Sequence, residues 1–127
     1  MNNNFAALHY KKTDKMSIVP PDDTNSVVLN CYEELLKSIT TFQNNIEPST
    51  QSYKKKSSSF AKAITILYTL QSSIDFEKDL KIAKNLFQIY EYTRQALINE
   101  FKSCKIEKSA LAFSALTEIR DSWQKII

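Results

Sequence analysis

Few side chains in this sequence are placed to do chemistry. His9 is the only histidine. Helical bundles that pass phosphate present an imidazole from the middle of a packed helix. His9 instead lies in an N-terminal arm with no packed partner to orient it, so it reads as a solvated side chain. For the same reason no Ser/His/Asp or Cys/His arrangement is available. Carboxylates pair at Asp22-Asp23, at Glu33-Glu34 and in Asp75-x-Glu77. General acid–base work needs an enclosed pocket that separates their pKa values. These pairs occupy a helix start, a helix body and a connection. Cys31 and Cys104 are 73 positions apart, too sparse for a disulfide scaffold, and both fall in apolar-periodic segments as reduced, buried thiols. With His9 they give three ligands where zinc wants about four. No catalytic constellation, metal site or cofactor is expected.

The main basic run is Lys54-Lys55-Lys56, followed by Ser57-Ser58-Ser59. Nucleic-acid binding favours several cations on one face, with Arg for bidentate phosphate contacts. Two arginines, Arg94 and Arg120, stand beside fifteen lysines, and carboxylates are spread through the other three helical segments. The run therefore reads as a solvated helix face, with neither nucleic-acid nor membrane binding expected.

The elements that carry these residues are helical. The 127 residues hold 17 Lys+Arg against 14 Asp+Glu, a net charge of +3, with 43% apolar residues and no glycine. A glycine-free chain does not cheaply form phosphate-cradling loops, dinucleotide turns or type I′ hairpins. Pro20-Pro21-Asp22-Asp23 is a helix start, with prolines before and carboxylates in the first turn. Val28, Tyr32, Leu35, Ile39, Phe42 and Ile46 then recur at steps of 4, 3, 4, 3 and 4, one stripe of an amphipathic helix. Similar stripes follow. The spacing predicts helices over roughly 23–46, 50–73, 79–102 and 106–126, with Asp75 or Asp79 capping the third. Short connections between long helices predict an all-α, antiparallel four-helix bundle. Residues 22–127 would form the bundle and 1–21 a short apolar arm. Met1-Asn2-Asn3-Asn4-Phe5 lacks the cationic start and apolar run of a signal peptide. The uncharged stretch from Ala63 to Ile74 is too short to span a bilayer. A cytoplasmic protein without membrane insertion is expected.

Apolar residues exceed one stripe per helix. Val27, Leu29, Cys31 and Leu36 flank the first stripe, and Ile66 and Tyr68 lie off the second. Such flanks suit grooves that receive further helices, and they suit equally a tight core with amphipathic shoulders. Phe76, between Asp75 and Glu77, either docks a partner or plugs the bundle end; the plug is the expectation.

Three blocks carry a family resemblance. In chain order they are Leu29-Asn30-Cys31-Tyr32-Glu33-Glu34-Leu35; Leu70-Gln71-Ser72-Ser73-Ile74-Asp75-Phe76-Glu77-Lys78 with Ile82-Ala83-Lys84-Asn85-Leu86 and Tyr90-Glu91-Tyr92; and Glu118-Ile119-Arg120-Asp121-Ser122-Trp123. In order and spacing they resemble the flagellin-export chaperone family (FliS), from about Pro20 to the end. Asp79-Leu80 stands where the family carries Gly-Gly, Glu34 where it carries Gly, and Pro20-Pro21 where it carries Ser-Pro; Ala7-Leu8-His9-Tyr10 matches its Asn-Ala-Tyr segment only loosely. The resemblance implies a cytosolic, non-enzymatic chaperone of flagellar type III export. It would bind the disordered C-terminal segment of flagellin, prevent premature polymerisation, aid export and meet an export-gate component. It also implies an antiparallel four-helix bundle with a short N-terminal element. From the facing of the helices, Val28, Tyr32, Leu36, Ile66 and Tyr68 are expected as groove walls. Phe5, Leu8 and Tyr10 are expected to cap a groove until the client arrives. The alternative is a basic helical-bundle adaptor that binds another protein or nucleic acid.

Overall fold

The structure, a computed structural model, describes residues 24–125. The expected arm with His9, and the Pro20-Pro21-Asp22-Asp23 start, lie outside the described residues. Four helices follow one another: α1 (Thr24–Asn44), α2 (Thr50–Ser72), α3 (Leu80–Ser103) and α4 (Lys108–Gln124). Their ends agree with the expected spans to within two residues. Among the described residues no strand forms. α1 packs on α2 and α4, and α3 on the same two. With connections this short, neighbours run antiparallel and the four helices close into a bundle.

The helix ends explain the boundaries. Asn45 stops α1 by turning its side chain back, its Nδ2 donating to the Thr41 carbonyl at 2.8 Å. Pro48 disfavours helical backbone at Glu47 before it, and α2 begins behind Ser49, whose backbone is extended. Of the two candidate caps for α3, Asp79 is the one used. Its Oδ1 accepts from the amides of Lys81 (3.1 Å) and Ile82 (3.2 Å), two of the donors a helix start leaves unpaired. Asp75 caps only its own turn, accepting from the Glu77 amide at 3.0 Å. α3 ends at Cys104, the one positive-φ residue among those described (φ 61°, ψ 32°). Glycine usually takes that left-handed position, and this chain has none. α4 starts two residues later than expected because its cap comes from another helix. Glu100 of α3, 1% exposed, accepts from the Ser109 amide (2.8 Å) and the Ser109 hydroxyl (2.6 Å). Gln43 of α1 donates to the same hydroxyl at 2.9 Å, so three helices meet at that residue.

The core follows the stripes. Val28, Tyr32, Leu35, Ile39 and Phe42 of α1 are fully buried against Leu67 and Leu70 of α2, Tyr90 and Leu97 of α3, and Leu116 and Trp123 of α4. Burying a side chain of this size stabilises the fold by about 1.5–3 kcal/mol before entropy is counted. One end holds an aromatic group in which Phe101 lies 4.6 Å from Phe60 and 6.5 Å from Phe42, centroid to centroid.

The structure corrects three expectations. Lys54 and Lys55 are exposed, but Lys56 is 4% exposed. Successive helical residues rotate by about 100°, which turns the third lysine inward. Its Nζ donates to the Ile46 carbonyl (3.1 Å) and Cys104 Sγ (3.2 Å) and lies 4.9 Å from the Phe101 centroid. Phe76 does not plug the bundle. Ile74 is buried there, while Phe76 is 38% exposed and leans on Phe87 with centroids 6.1 Å apart. The two thiols are half-buried rather than buried.

Candidate functional site

Several of the residues that carry the family resemblance build the interior. Tyr32 of the first block, Tyr90 of the second and Trp123 of the third come from three helices and meet. The Tyr32 ring is 6.3 Å from that of Tyr90, edge-on, and 5.8 Å from the Trp123 ring. The hydroxyls of Tyr32 and Tyr90 share a hydrogen bond. On the surface above them, Arg120 of the third block pairs with Glu33 of the first and with Asp121. The carboxylates hold the Arg120 guanidinium above its ordinary pKa, Glu33 chiefly and Asp121 next.

The outer surface is cut by grooves along three of the four helix seams. Between α3 and α4, Ile89 and Tyr92 face Leu111, Ala112 and Ala115 around about 570 Å³. The two alanines are too short to fill the space. Leu111 on its rim is 71% exposed, among the most water-facing large apolar side chains described. Between α2 and α3, Ile64, Tyr68, Gln71, Glu91 and Arg94 line about 510 Å³, with Tyr68 62% exposed. Between α1 and α2, Val27, Cys31 and Ile66 line about 340 Å³.

Of the expected groove walls, Ile66 and Tyr68 line open grooves. Val28, Tyr32 and Leu36 are buried among the helices and present no open face. As groove walls they would require a client to replace a neighbouring element. Phe5, Leu8 and Tyr10 lie outside the described residues. The residues that line the α1/α2 seam, Val27 and Cys31, are the flanks of the first stripe rather than its members. Burial raises the Cys31 thiol pKa.

The floor of the α2/α3 groove is polar and fixed. Arg94 donates twice to Glu91 (Nε to Oε1 3.1 Å, Nη2 to Oε2 2.6 Å), and Gln95 and Gln71 each donate once, at 3.1 and 3.2 Å. The Arg94 hydrogen bonds, then those of Gln95 and Gln71, outweigh partial desolvation and pull the Glu91 carboxyl from 4.5 to about 2. Its folded pKa lies below the unfolded value. The stabilisation is therefore complete above the unfolded pKa and is lost as pH falls toward 2. Solvent screening keeps it modest. A urea titration should show a steeper loss of stability between about pH 4.5 and 2 in the wild type than in Glu91→Gln. Equal slopes would contradict this role for Glu91.

Among the described residues no three His, Cys, Asp or Glu side chains gather to hold a metal, and no helix is long and apolar enough to cross a membrane. The arrangement offers grooves edged by exposed apolar side chains, suited to side chains of another polypeptide. A family model described as "Flagellar protein FliS" matches residues 5–127. No curated protein and no solved structure matches the chain.

Proposed function

This chain belongs to the FliS family of flagellar proteins, and on that premise we propose that it holds the C-terminal segment of flagellin as short helices in the grooves between its own helices. The family is one of flagellar export chaperones for flagellin, not of enzymes. Flagellin ends assemble by burying apolar stripes against one another. A cytoplasmic chaperone that covers those stripes removes the assembly surface, prevents premature polymerisation and carries the segment toward export, where a gate component is the second partner. Ordering a flexible segment costs free energy, so a large apolar contact is needed to offset it. The observation that carries the reading is the set of three seam grooves with Leu111, Tyr92 and Tyr68 exposed at their rims.

Hydrogen exchange on the complex with a flagellin C-terminal fragment tests this. Protection should rise along the fragment and along the helix faces at Tyr92, Leu111 and Tyr68. A bound fragment that leaves every seam unprotected would place the client elsewhere.

Phe5, Leu8 and Tyr10 are proposed to cover a groove until the client displaces them. Their apolar character, in an arm too short to hold a helix alone, supports this. Deleting residues 1–15 should then tighten client binding about ten-fold, the equivalent of about 1.4 kcal/mol of removed competition. Unchanged affinity in a titration would rule the cap out.

A further inference from the structure

We propose that the α1/α2 seam is selective for an acidic amphipathic helix. Its apolar anchor enters the Val27–Cys31–Ile66 end, and its carboxylates, two to three turns along, enter a basic end at Lys37 and Lys55. This inference rests on the reading of the protein as a chaperone that seats helices in its grooves, and it assigns one groove a partner chemistry.

Two adjoining cavities make up the seam. The apolar one, about 340 Å³, and a basic one of about 220 Å³ share Lys62. Because α1 and α2 are antiparallel, rising numbers on α1 and falling numbers on α2 run the same way along it. Val27 and Cys31 lie beside Ile66 at one end, and Lys37 and Thr41 beside Lys55 and Ser59 at the other. Ten helical residues separate the two ends on α1, roughly 15 Å at 1.5 Å per residue. A helix lying in the seam would place its anchor at i and its carboxylates at about i+7 and i+11, all on one face.

The charges are unequal. Lys62 is held at 2.6 Å by Glu34, and that hydrogen bond is the main cause holding the Glu34 carboxyl below its ordinary pKa. Among the described residues Lys37 and Lys55 have no ion-pair partner. Glu34 is the one carboxylate lining either cavity, against three ammoniums. Thr41 and Ser59 donate their hydroxyl protons to the carbonyls of Lys37 (3.1 Å) and Lys55 (2.7 Å). Ser38 and Ser58 complete the basic end. A small anion would use that end alone and gain little from solvated lysines. A helix uses both ends, drawing affinity from the apolar one and selectivity and association rate from the charged one.

The test uses the full chain and a labelled helical peptide with two leucines at its anchor and glutamates about seven and eleven positions on, beside a twin carrying glutamines. At low salt the glutamate peptide should bind about ten-fold tighter. That preference should vanish in high salt and in the Lys37→Gln/Lys55→Gln variant, whose exposed substitutions leave the core intact. Equal affinities of the twins, an unchanged preference in the variant, or capture of a single-stranded RNA oligonucleotide in place of either peptide would overturn the proposal. A flagellin C-terminal fragment separates the two readings. If the fragment binds and the twins do not differ, the seam proposal falls and the chaperone reading stands. If the fragment fails to bind and the twins still differ ten-fold, the reverse holds.

Discussion

Trp123→Ala should destabilise the bundle by about 3–5 kcal/mol, the range for truncating a buried large aromatic. Trp123 is 1% exposed, and its ring touches that of Tyr32, which in turn meets Tyr90. The indole thus closes a contact in which α1, α3 and α4 each supply one aromatic. Removing it leaves a cavity between helices whose other side chains are anchored by their own stripes, so collapse around the gap is incomplete. Against a typical domain stability of about 5–15 kcal/mol, that loss is a large share. Urea denaturation measures it directly, and a cost below about 1 kcal/mol would show that the three rings do not anchor the fold.

Tyr92→Asp combined with Leu111→Asp should lower affinity for the flagellin C-terminal fragment by at least about a hundred-fold, the equivalent of about 2.7 kcal/mol. The two side chains face each other across the α3/α4 groove from opposite helices. An apolar client stripe seated there would have to bury two carboxylates without partners, an expensive change in a desolvated contact. Both residues are exposed in the free protein, so folding should change by less than about 1 kcal/mol. The binding loss is read by calorimetric titration and folding by denaturation of the same preparation. Full affinity with intact folding would remove this groove from the client's path. Tyr68→Ala, on the opposite side of α3, separates the contribution of the α2/α3 groove in the same assay.

The helices and the core were legible because their signal is periodic. A stripe at steps of 4 and 3 identifies the buried face, and every residue of the Val28-to-Ile46 stripe is buried. Val28 and Tyr32 belong to that stripe, so they fill the interior and present no open face in the free protein. The grooves belong to the flanks, at Val27, Cys31 and Ile66, and to positions defined by what they lack. Ala112 and Ala115 leave space by being small, and periodicity carries no mark of that. Through-space partners were hidden for another reason. Lys56 is the third of three identical residues and finds its acceptor, the Ile46 carbonyl, across a connection. Glu100 caps a helix from nine positions upstream, outside the local S-x-x-E pattern that sequence reading looks for. Arg120 and Glu33 lie 87 positions apart. The end of α3 had no marker at all, because the left-handed residue is a cysteine in a chain without glycine.

The family blocks serve both the interior and the grooves, for Cys31 and Tyr92 of those blocks line seams. Tyr32, Tyr90, Trp123 and Arg120 hold the helices in register, while the rims carrying Tyr68, Tyr92 and Leu111 are what another chain can touch. We propose that those rims cover an unassembled flagellin tail. Titrating the folded protein with a flagellin C-terminal fragment, by calorimetry and circular dichroism together, tests it most directly. A one-to-one complex in which the fragment gains helix is the predicted result. A fragment that stays unbound and unstructured at tens of micromolar, beside a protein that remains fully helical, would contradict the account.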